Sequence, residues 1–183
     1  KFERYRDVDG DGVPYRTLPG TDHPKAAYFT RGTGHKPDAG YSENAANWQQ
    51  NMDRLTKKYE TARGLVPAPV VDDVQGARIG IIGYGSSDAA IAEARHILSV
   101  RHETPTSYLR IRALPAHESI RDFIKTHDRV YLVEQNRDAQ MASVLKVDFP
   151  EYAAKIQSVL HYNGLPIDAL SIIDGITGDA KGK

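Results

Sequence analysis

Four short runs concentrate side chains with the types and spacing that chemistry needs. In the first, Asp7-Val8-Asp9-Gly10-Asp11-Gly12, carboxylates alternate with other residues and glycine permits a sharp turn, as in the opening half of a calcium loop. Such a loop closes on a bidentate glutamate at its twelfth position, and Leu18 stands there, with Pro14 and Pro19 in place of a flanking helix. Asp7, Asp9 and Asp11 therefore read either as a solvated acidic turn or as a weak calcium site. The second run, Arg31-Gly32-Thr33-Gly34-His35, offers a guanidinium, a hydroxyl, an imidazole and two permissive backbone positions. That set suits a carboxylate or phosphate, and equally a turn whose Arg31 and His35 meet a neighbouring domain.

The third run, Gly83-Tyr84-Gly85-Ser86-Ser87, falls where a strand gives way to a helix, a place where backbone N–H groups can face an anion. Gly83, Gly85 and Ser86 are its cofactor-binding candidates. A dinucleotide fingerprint needs Gly or Ala three residues after the second glycine, and here that residue is Asp88, of like charge to a pyrophosphate. The bland alternative is a tight turn with Ser86 or Ser87 capping the helix. The fourth run, Glu134-Gln135-Asn136-Arg137-Asp138, follows a strand and precedes a helix, the location where open α/β sheets gather ligands. Glu134 and Asn136 are candidates for substrate or interface contact. Otherwise Asn136 or Asp138 caps the next helix and Glu134 forms a structural ion pair.

Other classes of site are excluded or unsupported. The chain has no cysteine, so it holds no disulfide, thiolate metal site, cysteine nucleophile or cysteine-ligated iron–sulfur cluster. Its seven histidines show no metal spacing, and neither a nucleophile elbow nor a P-loop lysine occurs. No complete catalytic set is present. Twenty-four basic and 24 acidic side chains balance to a net charge of zero, against the basic excess of nucleic-acid binders. No apolar run reaches the length that spans a bilayer, which speaks against a membrane role. The chain opens Lys1-Phe2-Glu3-Arg4, without methionine or a leader-like segment. The expectation is a cytoplasmic piece of a longer protein.

The elements that must position these runs fall into two parts. Residues 1–41 are rich in glycine and proline, with tyrosines scattered at no regular period, and read as turns needing another surface to pack on. Ser42 is an expected N-cap for a helix over 42–63, whose apolar stripe is Trp48, Met52, Leu55, Tyr59 and Ala62 and which Gly64 can end. Pro67-Ala68-Pro69 lies in an expected linker, with a boundary in 65–76. Beyond it the pattern alternates: strands near 78–83, 108–114, 129–134 and 159–162, helices near 88–100, 117–127, 139–147 and 151–156, and a closing helix or extended segment over 167–173. That alternation predicts a layered α/β domain.

In order, Tyr5-Arg6-Asp7-Val8-Asp9-Gly10-Asp11-Gly12-Val13-Pro14-Tyr15-Arg16-Thr17-Leu18-Pro19-Gly20, Thr30-Arg31-Gly32-Thr33-Gly34-His35 and Met52-Asp53-Arg54-Leu55 resemble the α subunit of 2-oxoacid:ferredoxin oxidoreductases. Ile82-Gly83-Tyr84-Gly85-Ser86 and Val133-Glu134-Gln135-Asn136, with Gln140, resemble that subunit's C-terminal domain. The resemblance implies a three-layer α/β/α domain like the transketolase C-terminal domain over residues 67–174. Residues 1–66 would be the tail of a thiamine-diphosphate pyrimidine-binding domain, and residues 175–183 a flexible tail. It further implies a complex that oxidatively decarboxylates a 2-oxoacid, of the 2-oxoglutarate type, with coenzyme A, reducing ferredoxin. Thiamine diphosphate, Mg2+ and a [4Fe-4S] cluster would belong to the whole complex, with none held by this segment. The implied partners are the remainder of the α subunit and a β subunit, in a hetero-oligomer of αβ pairs serving ferredoxin. This segment would then be scaffold. A pyruvate or other 2-oxoacid member of the family, and a free-standing nucleotide-binding module, are the alternatives.

Overall fold

The computed structural model describes residues 2–28 and 34–178. The chain divides into two compact units, Lys1–Leu65 and Val66–Lys183.

In the first unit, α1 (Ala45–Arg63) is the one regular element among the described residues. Asn44, not Ser42, is its N-cap: the Asn44 Oδ1 accepts from the backbone N–H of Ala46 and Asn47 at 3.0 and 3.3 Å. Ser42 Oγ instead accepts from Asn44 N–H and the Asn47 amide, so both residues fit the capping chemistry and the one closer to the helix takes the cap. Gly64 ends the helix.

The expected apolar face of α1 turns inward only in part. Trp48, Met52 and Tyr59 are 42, 38 and 59% exposed, while Leu55 and Ala62 of the same stripe are half-buried and Asn51, flanking it, is buried. Hydrogen bonding accounts for the polar part of the inward face. The loops of residues 1–44 present backbone carbonyls, and polar side chains can satisfy them where apolar ones cannot. Asn51 donates to the His35 carbonyl at 2.8 Å, Arg54 to that of Gly12 at 3.2 Å, and Thr61 to that of Asp11 at 2.5 Å. Gly12, with φ of +80°, lets the loop lie directly on the helix backbone, where a Cβ would sit 2.8 Å from the Arg54 carbonyl oxygen.

The second unit is built on a five-stranded sheet of β1 (Val70–Asp72), β2 (Ile79–Tyr84), β3 (Thr106–Ile111), β4 (Arg129–Glu134) and β5 (Ile156–Leu160), in the order β1-β3-β2-β4-β5. All pairings are parallel except that of the edge strand β1 with β3. Helices α2 (Asp88–His102), α3 (Glu118–Thr126), α4 (Gln140–Asp148) and α5 (Ala169–Thr177) follow β2, β3, β4 and β5 in turn. The strands alternate sides as the pleat requires. Ile81, Tyr131, Val133 and Val159 pack with Ile91, Ala94 and Leu98 of α2 and Ile172, Ile173 and Ile176 of α5. Ile82, Val130, Leu132 and Ile156 pack on the other face with Ile120, Phe123 and Ile124 of α3 and Ala142 and Leu145 of α4. Two apolar layers on one sheet make a three-layer α/β/α domain.

Several expected elements shift. β1 lies inside the expected linker, its three residues too few and its valines too exposed to show a pattern. β3 begins two residues earlier than expected and ends at Ile111, and β5 begins three residues earlier and ends at Leu160. Pro150–Lys155 forms a 3-10 helix. α5 runs to Thr177, so residues 175–177 are helical rather than tail; Gly178 caps the helix at φ +74°, and residues 179–183 lie outside the described set.

Candidate functional site

β2 is the first strand of the parallel set, and its neighbours β3 and β4 lie on opposite sides of it. The chain thus reverses direction across the sheet between β2 and β4, a topological switch point, the place beyond the strands' carboxyl ends where such folds form a crevice. The third and fourth runs converge on it. Gln135 Nε2 donates to Ser86 Oγ at 3.1 Å and to Ser87 Oγ at 3.2 Å. Tyr84 donates to Glu134 at 3.3 Å, and the Asn136 amide donates to Glu134 at 2.8 Å.

Glu134 organises this switch point. Its side chain is fully buried, and its carboxylate accepts from the backbone N–H of Met141 at 2.8 Å and of Ala142 at 3.0 Å. Those are free amides of the first turn of α4, where the helix dipole favours negative charge. The expected ion pair is absent among the described residues: helix amides, an amide side chain and a phenol satisfy Glu134, not a cation. The capping expectation also changes. Ala139, at φ +51°, is the N-cap of α4, while Asn136 Oδ1 accepts from Asp138 N–H and Gln140 N–H. Burial, and then the neighbouring Glu134 charge, push the Tyr84 phenol above its ordinary value.

The turn after β2 has structural reasons for its glycines. A Cβ on Gly83 would collide with Ile91 of α2 and stand 3.3 Å from the Tyr108 hydroxyl, and Gly85 has φ +59°. Neither Ser86 nor Ser87 caps α2 with its side chain, contrary to the simpler expectation; their hydroxyls face Gln135 instead. Asp88, in the first turn of α2, accepts from Tyr108 at 2.8 Å and pairs with Arg110 at 3.2 Å. Burial, and then this bond to Asp88, push the Tyr108 phenol upward.

The α4 amides are thus taken by Glu134, and Asp88, bonded to Tyr108 and Arg110, stands in the first turn of α2. A diphosphate would compete with Glu134 for the α4 amides and meet Asp88 at α2. The residues here do not fit a nucleotide or thiamine diphosphate. A cleft of about 450 Å³ exists at the opposite, amino-terminal edge of this sheet, lined by Ile79, Thr104, Asp128 and Arg129 among others. Arg78 and Asp128 pair with each other there at 2.5 Å, and that edge lacks the convergence of side chains seen at the switch point.

In the first unit, Arg31, Gly32 and Thr33 lie outside the described residues. Gly34 is buried and its carbonyl accepts from Ser42 N–H at 3.0 Å. The His35 ring stacks on Tyr5, centroids 4.0 Å apart. The three aspartates take up separate tasks: Asp7 accepts from Gly12 N–H at 3.0 Å, Asp11 from Val13 N–H at 2.8 Å, and Asp9 bonds the Tyr15 hydroxyl, which raises that phenol. Among the described residues no three His, Asp or Glu side chains come together to hold a metal ion. Among the described residues no helix is long and apolar enough to cross a membrane. Nothing in the motifs of the sequence singles out Tyr84, Tyr108 or Arg110, whose side chains complete the switch point.

No family model matches the sequence, and no curated protein matches it. Solved structures do. The 2-oxoglutarate:ferredoxin oxidoreductase from Magnetococcus marinus, with 2-oxoglutarate, coenzyme A and succinyl-CoA bound, aligns with 97% of this chain at 22% identity and a TM-score of 0.75. This chain spans 30% of that one. A split-gene transketolase, an inactive β4 tetramer, aligns with 60% of this chain and 40% of its own at 14% identity and a TM-score of 0.51. At these identities the likeness is one of fold, and it covers both units of the chain in the first case.

Proposed function

We propose that this chain is the C-terminal part of the α subunit of a 2-oxoacid:ferredoxin oxidoreductase, of the 2-oxoglutarate type. In this proposal the complex converts 2-oxoglutarate and coenzyme A to succinyl-CoA and CO2 and passes the electrons to ferredoxin. Residues 1–66 are the tail of its pyrimidine-binding domain, and residues 67–174 its transketolase-C-like domain. The observation that carries the proposal is the single fold match running through both units at a TM-score of 0.75, in a chain of which this one spans 30%.

The first unit supports an assembly role independently. Among its described residues only Ala39 is a buried hydrophobic side chain, whereas Trp48, Met52, Tyr59 and Leu65 are exposed along and beyond α1. A unit of this size without an apolar core lacks the main favourable term of folding, and an apolar helix face left in water is what a missing neighbour would cover. We assign that neighbour as the remainder of the pyrimidine-binding domain. In the whole complex thiamine diphosphate supplies the chemistry of decarboxylation. Because the switch-point residues do not fit its diphosphate, the groups that hold it, with magnesium and the iron–sulfur cluster, belong to the rest of the α subunit and the β subunit.

The test is reconstitution. Co-expression of this chain with the remaining α region and the β subunit should yield a stable complex with 2-oxoglutarate-dependent ferredoxin reduction, and this chain alone should show none. Failure of the three parts to associate would refute the proposal. Comparing kcat/KM for 2-oxoglutarate and pyruvate in the complex separates the two family members. A free-standing nucleotide-binding module is disfavoured by Glu134 and Asp88, and micromolar binding of NAD or ATP to this chain would restore it.

A further inference from the structure

Beside α1, within the first unit, lies a groove of about 490 Å³ with an unusual lining. Arg4, Arg16, Arg54 and Lys58 border it together with His35 and Tyr5, and no carboxylate does. The Tyr5 ring is its floor: His35 stacks on it at 4.0 Å, and the guanidinium carbons of Arg4 and Arg54 stand 4.9 and 5.9 Å from its centroid.

Four cations on one groove repel one another. Two acids stand nearby, Asp7 and Asp53, neither of them on the groove itself. Asp7 lines an adjoining cleft that shares Tyr5 and Arg54, and its charge acts on Arg54. Arg54 is already committed to the protein at one of its nitrogens. Its Nη1 donates to the Gly12 carbonyl, but its Nε is buried without any hydrogen-bond partner. Asp7 Oδ1 is buried without one as well, so the two do not bond each other. Shielded from solvent, that Nε is out of reach of a ligand in the groove, so the donors the groove offers are those of Arg4, Arg16 and Lys58. Burial, followed by the Arg4 charge, lowers the Arg54 pKa, as expected of a guanidinium short of anionic company.

We propose that this groove binds a phosphate-bearing small molecule, with Arg4, Arg16 and Lys58 supplying its donors. Phosphate fits better than a single carboxylate. Its oxygens can accept from several guanidinium forks at once, and its double charge matches the excess of cations. The groove uses only residues within one unit, so its occupancy does not depend on the oxidoreductase reading.

The experiment is isothermal titration of the full 183-residue chain with inorganic pyrophosphate at low ionic strength. Saturable binding is expected, weakening steeply as salt is added. The double variant Arg16→Ala/Lys58→Ala removes two donors without touching the Arg54–Gly12 bond or the Tyr5–His35 stack. It should weaken binding by about tenfold or more, the loss of about one charge-assisted hydrogen bond or more. Lys57→Ala, on the adjoining cleft, should leave it within about twofold. Far-UV circular dichroism and Trp48 fluorescence unchanged in both variants show that the fold survives, and a pyrophosphate-dependent shift of the His35 ring resonances places the ligand in the groove. No saturable binding at millimolar pyrophosphate, or binding indifferent to the double variant, overturns the proposal. If pyrophosphate fails and Arg16→Glu/Lys58→Glu instead blocks assembly with the partner subunits, the groove takes an acidic protein segment, which equally overturns it.

Discussion

α1 and α3 solve opposite problems. α3 turns Ile120, Phe123 and Ile124 inward against the sheet, so that its burial and its hydrophobicity coincide. α1 turns Asn51, Arg54 and Thr61 inward against loop carbonyls and leaves Trp48, Met52 and Tyr59 in water. The second unit holds 26 of the 27 buried hydrophobic side chains among the described residues, and the first unit holds Ala39. One unit is held by burial, the other by hydrogen bonds and stacked cations. An amphipathic helix thus shows where apolar surface must go, but not whether the covering surface belongs to the same chain.

The contrast can be broken at four places. Leu132→Ala, in the centre of the second unit, should cost about 3 kcal/mol, read as a lower urea midpoint by far-UV circular dichroism. Trp48 is the single tryptophan and reports on the first unit alone; its fluorescence transition should stay unmoved. If both transitions move together, the units are not energetically separate. Glu134→Ala strips the partner from two buried helix amides and should cost about 2–3 kcal/mol, mostly in the same transition. A cost below about 0.5 kcal/mol would mean that water replaces the carboxylate, and that the α4 terminus is open to ligands after all.

Gly12→Ala sharpens the other side. Its positive φ and the proximity of the α1 backbone predict a loss of about 1–2 kcal/mol, seen by Trp48 fluorescence and not by the main dichroism transition. The smallest effect is expected for Met52→Ser/Tyr59→Ser. In the isolated chain it should change stability by less than about 0.5 kcal/mol, because these side chains are already in water. The same variant should sharply reduce recovery of the complex in co-purification. A normal yield would show that the α1 face is not the docking face.

The second unit is the more legible of the two in the sequence. β4 matches its expected span at both ends, and α2 and α4 begin within one residue of expectation, because continuous apolar strands and helical spacing both arise from a core inside the chain. β1 is invisible, since a three-residue strand with exposed valines carries no period. In the first unit the position of α1 is legible and its orientation only in part, since Leu55 and Ala62 of the stripe are half-buried while Trp48, Met52 and Tyr59 are exposed. Periodicity locates a stripe, while its inward side is decided by carbonyls that a pattern of hydrophobicity does not register. At the switch point, the strand end bearing Glu134 and the turns bearing Asn136 and Ser86 can be placed. The role of Glu134 cannot, because its partners Met141 and Ala142 contribute backbone N–H groups of a kind that nearly every residue type possesses.

The Glu134 carboxylate works as a plug in a socket that the architecture makes at every strand-to-helix junction of this kind. Replacing it with glycine or serine would vacate the α4 amides without touching either apolar layer, so one substitution would free two backbone N–H groups at a helix N-terminus for an anion.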